Sequence, residues 1–441
     1  MSFTSIRVYD WMQLGAAERR ELLRRPAQRD QDETMAGARA IVDQVRHEGD
    51  RALQRLTEQH DRVRLEALQV TESEFLEAET ALSPNEKHAI EKAIETVGRF
   101  HEAQALPPLR VETAPGVVCE RRSVPLQAIG MYVPAGTAPL PSSALMIGVP
   151  ARIAGCPTRV LCSPPRRDGR ADPAVLYTAR ACGVTHVFKV GGAQAVAAMA
   201  YGTSTIPKVD KIFGPGNAWV TAAKLIVAMD PDGAAYDMPA GPSEVLVVAD
   251  HKAHPEFVAS DLLAQAEHSV DAQVLLVTTS RELAHSVGRE VERQLAHLSR
   301  NQIIRASLES SRLITVDTLD TAMDVSNAYA PEHLIIETEN PRSLLPKVLH
   351  AGSVFLGAWT PESMGDYCSG TNHVLPTYGY ARAFAGLSLA DFTRQMTVQE
   401  LTPEGIVGLG PVAQTLAMLE GLDAHANAVT VRLARLPRDE E

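Results

Sequence analysis

Two polar side chains interrupt an apolar stretch of the sequence, "DLLAQAEHSVDAQVLLVTTS" (261–280). Its first half reads as a helix and its second half as a buried strand. Gln265 and His268 are three residues apart, so both are expected on one helix face. An amide oxygen and an imidazole nitrogen on the same face could together bind a metal ion.

Further nitrogen and oxygen ligands occur in two later segments. Asp366 and His373 lie in "WTPESMGDYCSGTNHVLPTYG", after a predicted strand, and Glu420 and His425 lie in "LEGLDAHANA". A set without thiolates suits Zn²⁺, Mn²⁺ or a similar first-row ion. The segments are far apart in the chain, however, and a lone histidine is more often a core or surface residue. Spacing by itself therefore does not define a metal site.

A Glu–His pair in "YAPEHLIIET" is suited to proton transfer. Glu332 and His333 follow a proline at the mouth of a predicted strand. Neighbours within a strand point to opposite faces, but just before a strand both can reach one cleft. Glu and His are common general acid–base residues. The alternative is that Glu332 is solvated and His333 simply begins the strand.

Two series of strands, turns and helices must position these residues. Each repeats the order strand, tight turn, helix, which predicts parallel βαβ units. The strands of the first series are "AIGMYV", "THVFKV" and "KIFG". Those of the second are "EVLVVAD", "QVLLVTT", "HLIIET" and "SVFLG". We expect an α/β protein with two successive Rossmann-like modules, each incomplete, between a helical N-terminal region and a helical C-terminal tail.

Changes along the chain in hydrophobic pattern and in the frequency of Gly/Pro turns predict four regions. Residues 1–109 are mainly helical and polar, and residues 110–237 form the first α/β module with its glycine-rich loops. Residues 238–380 form the second module, which carries the candidate metal and acid–base residues. Residues 381–441 form the helical tail, whose terminal "PRDEE" is expected to fray.

Glycine-rich loops follow the strands of the first module, where open α/β sheets bind ligands. Glycine lets a backbone approach a ligand closely, and helix N-termini favour phosphate. The loop glycines are Gly136, Gly191, Gly192, Gly214 and Gly216. None of these loops is the G-x-G-x-x-G fingerprint of dinucleotide binding. The polar residues at the same strand ends are Tyr132, Gln194 and Asn217. Taken singly, Asn217 is expected to cap the next helix and Gln194 to lie on the surface.

Composition bounds the kind of partner. The chain has 441 residues, too many for one core, and a net charge of −12, which argues against nucleic acid and favours a small diffusing substrate. No segment approaches the ~20 apolar residues that a membrane span requires, and the N-terminus lacks the apolar core of a signal peptide. The five dispersed cysteines predict reduced thiols in the cytoplasm. They are Cys119, Cys156, Cys162, Cys182 and Cys368.

Eight blocks of the sequence together resemble the histidinol dehydrogenase family, in the family's order and over nearly the whole chain. The blocks are "GMYVPAGTAPLPSSALM", "KVGGAQAVAAMAYGT", "KIFGPGNAWVTAAK", "YDMPAGPSEVLVVAD", "LLAQAEHS", "NAYAPEHL", "GDYCSGTNHVLPT" and "EGLDAHANAV". A glycine frequent in the family's "VPGG" turn is Ala135 here, although Gly136 remains. The N-terminal region is the least diagnostic part.

The resemblance implies an enzyme that performs the last step of histidine biosynthesis. Such an enzyme oxidises L-histidinol to L-histidine in two NAD⁺-dependent steps, through an aldehyde that stays bound. The family is a zinc-containing homodimer, with one Zn²⁺ per subunit. Its C-terminal tail reaches into the partner subunit, so each active site is expected to be shared.

The resemblance also assigns roles residue by residue. The metal ligands it implies are Gln265, His268, Asp366 and His425. Glu332 and His333 are the implied catalytic pair, and Tyr132, Gln194 and Asn217 the implied NAD-binding residues. The implied substrate-binding residues are Ser243, Gln265, His268, His333, Asp366, His373, Glu420 and His425. These assignments explain why an amide and an imidazole share one apolar helix, because both would point at one ion.

Three other functions remain to be weighed. A related zinc- and NAD-dependent dehydrogenase of another small alcohol would keep the Glu–His pair, but His373 and Glu420 match the substrate-binding positions for histidinol. A zinc hydrolase would have no use for the glycine-rich loops of the first module. A binding protein without activity is disfavoured, because every candidate acid, base and ligand is present.

Overall fold

The computed structural model describes residues 6–26, 31–135, 138–184 and 186–436. Its α-helices in chain order are α1 Ala16–Leu22, α2 Gln31–Glu48, α3 Asp50–Asp61, α4 Glu72–Ala81, α5 Pro84–Glu102, α6 Pro141–Ala154, α7 Pro173–Ala181, α8 Gly192–Tyr201, α9 Ala218–Ala228, α10 Pro255–Ala266, α11 Arg281–Leu295, α12 Asn301–Glu309, α13 Leu319–Tyr329, α14 Pro341–Leu344, α15 Glu362–Tyr367, α16 Pro403–Leu419 and α17 Asp423–Leu433. Short 3₁₀ turns occur at Trp11–Gln13, Leu345–Lys347, Tyr380–Arg382 and Leu389–Phe392.

The strands form three sheets. In chain order the strands are β1 Val8–Asp10, β2 Leu109–Ala114, β3 Val117–Pro125, β4 Ala128–Tyr132, β5 Thr158–Cys162, β6 His186–Phe188, β7 Lys211–Phe213, β8 Ala235–Tyr236, β9 Glu244–Ala249, β10 Gln273–Thr278, β11 Arg312–Thr315, β12 His333–Glu337, β13 Ser353–Leu356 and β14 Thr393–Leu401. The α/β class, the parallel sheets and the helical N-terminal region are as the sequence predicts.

The sheet of the second module runs in the order β1-β11-β10-β9-β12-β13, and every neighbouring pair is parallel. Strands β9, β10 and β12 are buried along their whole length, because helices cover both faces of the sheet. Their continuous runs of Val, Leu and Ile are what such burial requires. Strand β9 lies between β10 and β12, so its first residues have a fixed position at the centre of one sheet edge.

The first module is built on a parallel sheet in the order β6-β5-β4-β7-β8. Helices α8 and α9 pack against each other, and α2 from the N-terminal region packs on both. The glycine-rich loops therefore lie at the carboxyl edge of this sheet, as expected.

Two regions contain strands where the sequence predicted helix. The tail prediction is wrong at β14, which pairs antiparallel with β3, the middle strand of the third sheet, β14-β3-β2. Polar and apolar residues alternate in "TRQMTVQEL", as is usual for a solvent-exposed strand. Pairing with β3 outweighs the helical propensity of the neighbouring sequence. At the other end of the chain, β1 adds an edge strand to the sheet of the second module. Strands β5 and β11 were also missed.

The segment before β14 ties the tail to the first module. Phe392 is fully buried, and its ring stacks on Phe213 at the end of β7, with 4.4 Å between ring centroids. Val374 and Leu387 belong to the same apolar core. The chain thus returns from the second module to the core of the first before it forms the tail.

Two further findings concern the membrane and the thiols. Within the described residues, no helix combines the length and the apolar character needed to span a membrane. Each of the five cysteines, all of them described, is free. Burial raises the pKa of Cys156 to about 11 and that of Cys182 to about 12, so these thiols stay protonated and serve as packing residues.

Truncating Phe392 tests its role as an anchor. The variant Phe392→Ala removes a stacked, fully buried ring, and we expect the free energy of unfolding to fall by about 3–5 kcal/mol. The control Phe384→Ala removes a ring that is 42% exposed and should change stability much less. Urea unfolding of both variants measures the difference, and equal losses would show that the anchor does not lie at Phe392.

Candidate active site

The Glu–His pair lies at the amino end of β12 and is held by the first residue of β9. The Glu244 N–H donates to Glu332 Oε2 over 2.9 Å, and the Glu244 carbonyl oxygen lies 3.2 Å from His333 Nδ1. Both side chains are buried. The two side chains lie together, with 3.6 Å between His333 Nδ1 and Glu332 Oε2; His333 begins β12, and Glu332 is buried rather than solvated. The site lies at the amino edge of this sheet, because the loops that precede its strands carry the polar residues.

The two nitrogens of His333 have different environments. A carbonyl can only accept a hydrogen bond, so the contact with Glu244 holds a proton on Nδ1. Nε2 is buried without a hydrogen-bond partner among the described residues, and it lies 3.3 Å from Asp366 Oδ1. The neutral imidazole can therefore accept a proton at Nε2.

Three side chains form a cluster that could hold a metal ion. One ligand atom each from His268, Glu362 and Asp366 lies within 4.8 Å of the others. The Gln265 amide can form hydrogen bonds with both of its neighbours in only one orientation. In that orientation its nitrogen donates to Glu362 Oε2 over 3.0 Å, and its oxygen accepts from the Glu244 N–H over 3.2 Å. The donor set, an imidazole and two carboxylates without thiolates, fits a divalent first-row ion.

Glu362 is the member of this cluster that the sequence reasoning missed. Helix α15 starts at Glu362, and Asp366 follows one turn later, so both carboxylates lie on one helix face. That spacing of four residues is visible in "PESMGDY" and could have revealed it. A second correction concerns His268, which lies just beyond the end of α10, where its N–H donates to the Gln265 carbonyl over 3.2 Å.

The buried charges shift one another's titration. Burial raises the pKa of Glu332 to about 8, although His333 and the Glu244 N–H oppose the rise. Burial would lower the pKa of His333, but the carboxylates of Glu362, Glu332 and Asp366 raise it well above its ordinary value. The pKa of Glu362 is also raised, chiefly by burial. A cation bound to the carboxylates would cancel the charge that keeps His333 protonated.

Two of the expected substrate-binding residues lie beside this cluster. His373 Nδ1 lies 2.7 Å from the backbone oxygen of Asp366. Ser243 directly precedes Glu244, and its carbonyl accepts from the Gln273 N–H over 3.3 Å. Both are therefore within the same small region as the Glu–His pair.

The two expected residues of the tail are not part of this arrangement. Glu420 ends α16, His425 lies in α17, and both are exposed. Helix α17 packs against α16. Within the described residues, no hydrogen bond or ion pair joins either side chain to His268, Glu362 or Asp366.

The expected NAD-binding residues lie at the carboxyl edge of the first sheet. The Tyr132 hydroxyl accepts from the Gly192 N–H over 3.1 Å. Asn217 caps α9 by accepting from two backbone amides, as expected from the residue taken singly. Gln194 is buried, which corrects the expectation of a surface residue, because α8 lies between α2 and α9. Gly136 lies outside the described residues.

At this edge the backbone of Gly214 packs closely on that of Tyr132, and one helix begins without a side-chain cap. Gly214 has a φ of +118°, and a side chain there would clash with the Tyr132 carbonyl oxygen, so only glycine fits. Helix α8 begins after Gly191 without a side-chain cap, whereas α9 is capped by Asn217. At the N-terminus of α8 the Gly192 N–H is taken by the Tyr132 hydroxyl, and no described side chain caps the amides that follow it.

Comparison with known proteins gave a consistent result. The model of the family described as "Histidinol dehydrogenase" matches residues 23–433. A histidinol dehydrogenase from Vibrio vulnificus is 53% identical over 431 residues, which cover 98% of this chain and 99% of the relative. One from Xanthomonas oryzae pv. oryzae is 54% identical over 428 residues, covering 97% and 99%. The crystal structure of histidinol dehydrogenase from Elizabethkingia anophelis is similar with a TM-score of 0.93 and 44% identity, covering 97% of this chain and 98% of that one.

Glu362 offers a direct test of the metal cluster. We expect Glu362→Gln to weaken the binding of a divalent cation at least tenfold, because it removes one anionic ligand from the cluster. Glu337→Gln is the matched control, since Glu337 is equally buried but receives the His254 N–H instead. Titration of both metal-free variants with Zn²⁺ by calorimetry gives the two affinities. Unchanged affinity in Glu362→Gln would remove Glu362 from the cluster.

Proposed function

The chain belongs to the histidinol dehydrogenase family, and from this premise we propose that it is a zinc-dependent enzyme that oxidises L-histidinol to L-histidine with two NAD⁺. This reaction is the last step of histidine biosynthesis. The observation that carries the proposal is the buried Glu332–His333 pair next to a cluster of metal-ligand type. A base, a second acid–base group and a charged anchoring site are thus adjacent.

The proposed metal ligands are Gln265, His268 and Asp366 of one chain and His425 of its partner, with Glu362 beside them. The cluster of His268, Glu362 and Asp366 supports this proposal. When bound, Zn²⁺ would supply a positive charge that holds and orients the imidazole and amine of the substrate. We propose that Ser243, His373 and Glu420 complete the recognition of the substrate.

In the first oxidation, His333 acts as the base. Nε2 takes the proton of the substrate hydroxyl, while a hydride leaves the carbinol carbon for NAD⁺, giving the aldehyde, NADH and protonated His333. The contact between Nδ1 and the Glu244 carbonyl keeps the ring oriented for this transfer. The aldehyde stays bound while the reduced nucleotide is exchanged for a second NAD⁺.

In the second oxidation, Glu332 activates water. Its carboxylate takes one proton as the water oxygen attacks the aldehyde carbon, while protonated His333 returns its proton to the carbonyl oxygen, which gives the hydrate. His333, deprotonated again, takes a hydroxyl proton from the hydrate as the second hydride passes to NAD⁺, which leaves the carboxyl group of histidine. Glu332 must be ionised for this step, so the rate should rise with pH.

For the nucleotide, we propose contacts with Tyr132, Gln194 and Asn217 at the carboxyl edge of the first sheet. The N-terminus of α8, which has no side-chain cap, supports this edge as the binding site. The likeness to the family supports NAD⁺ as the oxidant.

We also propose that the enzyme is a cytoplasmic homodimer with shared active sites. His425 and Glu420 are exposed on the tail helices and lie apart from the rest of the site in their own chain. The same helices expose a band of apolar side chains, which a second copy of the chain would cover. The band comprises Val407, Leu409, Val412, Leu416, Leu419 and Val431.

The division of the chain into four regions, with boundaries after residues 109, 237 and 380, stays a prediction.

The reaction is tested by counting NADH. Purified enzyme with limiting L-histidinol and excess NAD⁺ should form two NADH for each substrate consumed, and histidine should accumulate. One NADH per substrate, with the aldehyde released, would contradict the two-step oxidation.

Variants of the acid–base pair separate the two steps. His333→Ala should slow oxidation of both L-histidinol and L-histidinal, whereas Glu332→Gln should mainly slow oxidation of L-histidinal, because only that step needs an activated water. The rate on L-histidinal should rise with pH as Glu332 ionises. The pKa of Glu332 is about 8 without a cation, and a bound cation lowers it, so the rise should be complete by about pH 8. In Glu332→Gln the part of this rise that is due to Glu332 should disappear, and only the part due to deprotonation of His333 should remain. Equal losses on both substrates would refute the role given to Glu332.

Mixing two inactive variants tests the shared site. His268→Ala and His425→Ala should each be inactive. After subunit exchange, about half of the dimers are mixed, and in each of these one site carries both lesions and the other none. Roughly a quarter of all sites should then be active. If His425 served its own chain, every site would keep one lesion, so exchange confirmed by mass without recovered activity would exclude sharing.

A further inference from the structure

An arginine of the N-terminal segment lies against the residue that holds the Glu–His pair. Arg25 donates through Nε to Glu244 Oε2 over 2.6 Å and through Nη2 to Oε1 over 2.7 Å. Nη2 also donates to the carbonyl oxygens of Tyr329, over 2.9 Å, and Ala330, over 3.3 Å. The guanidinium stacks on the Tyr329 ring, 3.9 Å from its centroid. Nε and Nη2 thus form a two-pronged pair with the carboxylate, and Nη2 also reaches the end of α13.

The Glu244 carboxylate is thereby fixed from two sides. Its side chain is only 2% exposed, so its charge needs a buried partner, which Arg25 provides. The Tyr329 hydroxyl lies 3.1 Å from Glu244 Oε2 and 2.8 Å from Gln273 Oε1. A fork-to-fork pair of this kind defines the direction of the side chain as well as its charge.

The backbone of the same residue holds the catalytic pair. Its N–H donates to Glu332 and is also within reach of the Gln265 amide oxygen, and its carbonyl faces His333 Nδ1. Glu244 is the first residue of β9, so its backbone is anchored by the sheet on one side and preceded by a loop on the other. The bonds from Arg25 to the side chain therefore add a restraint on the peptide groups on both sides of the Glu244 Cα, beside the backbone bond from the Gln273 N–H to the Ser243 carbonyl.

We propose that Arg25 is a positioning residue of the active site, which orients Glu332 and His333 by clamping Glu244. A buried ion pair contributes little net stability compared with apolar residues of the same shape. The Arg25–Glu244 ion pair lies next to the peptide groups that hold Glu332 and His333, so its role can be to orient them rather than to stabilise the fold. Arg25 does not touch the reacting atoms and acts only through Glu244.

The inference rests on the proposed function, and it predicts a specific kinetic change. Arg25→Ala should lower kcat for both L-histidinol and L-histidinal by about 10- to 100-fold, because a displacement of about 1 Å at the base has an effect of that size. The KM for NAD⁺ should stay within about twofold, since the first module is untouched. Added guanidinium chloride at low millimolar concentration should restore part of kcat by filling the vacated position.

Two variants complete the design. Arg24→Ala is the matched control: its side chain is 67% exposed, pairs with Glu21 on the surface, and should leave kcat unchanged with or without guanidinium. Arg25→Lys keeps the charge but loses the two-pronged geometry, so its kcat should fall between those of the wild type and Arg25→Ala. If Arg25→Ala does not fold, the same comparison is made with Arg25→Lys, for which a wild-type kcat overturns the proposal.

The crystal structure of the variant separates this inference from the proposed function. In Arg25→Ala, Glu332 Oε2 and His333 Nδ1 should move away from the Glu244 peptide groups, whatever substrate the enzyme uses. A folded variant with kcat within twofold of the wild type, or one in which both side chains keep their positions, overturns the positioning role. A wild-type enzyme that forms no NADH from L-histidinol instead contradicts the proposed function.

Discussion

The burial of several carboxylates beside one another is the constraint around which this site is arranged. Glu332, Glu362 and Asp366 share a small volume with His333, away from water. Like charges at such short range cannot all be ionised without compensation. Protons provide it in the metal-free protein, as the raised pKa values of Glu332 and His333 show. A divalent cation would supply the same compensation, so protons and metal compete for one set of groups.

The fold meets this constraint by using peptide groups at the amino edge of a parallel sheet. Strand β9 has a neighbour on each side, and its first residue offers an N–H to a carboxylate and a carbonyl to an imidazole. Side chains from α10 and α15 supply the ligands above this edge. The first module has the opposite arrangement, with its polar residues at the carboxyl edge. Two modules of similar build thus contribute different edges: the second places charge-bearing side chains at its amino edge, and the first offers the carboxyl edge at which we propose that the nucleotide binds.

Sequence reasoning identified the residues whose chemistry is visible in one segment. The pair Glu332 and His333 was recognisable because the two are adjacent before a strand, and both modules were recognisable from their buried strands. Arg25 was missed, since it acquires its role from a residue far away in the chain, whereas Glu362 was missed although its spacing from Asp366 is local. Arg25 pairs with Glu244 across 219 positions of the sequence, and no local pattern reports such a pair. Strand β14 was missed for the same reason as Arg25, because its partner β3 lies some 280 residues earlier, Gln399 pairing with Cys119.

The N-terminal edge strand has a consequence for how the protein is made. Val8 pairs with Leu313, so β1 is synthesised some 300 residues before the strand with which it pairs. Pairings of such long sequence separation slow the search for the native state. Until β11 appears, the apolar edge of the nascent sheet is open to wrong partners, which is the situation in which aggregation competes with folding. Arg25 follows β1 in the chain, so the segment that waits for β11 also carries the partner of the buried Glu244 carboxylate.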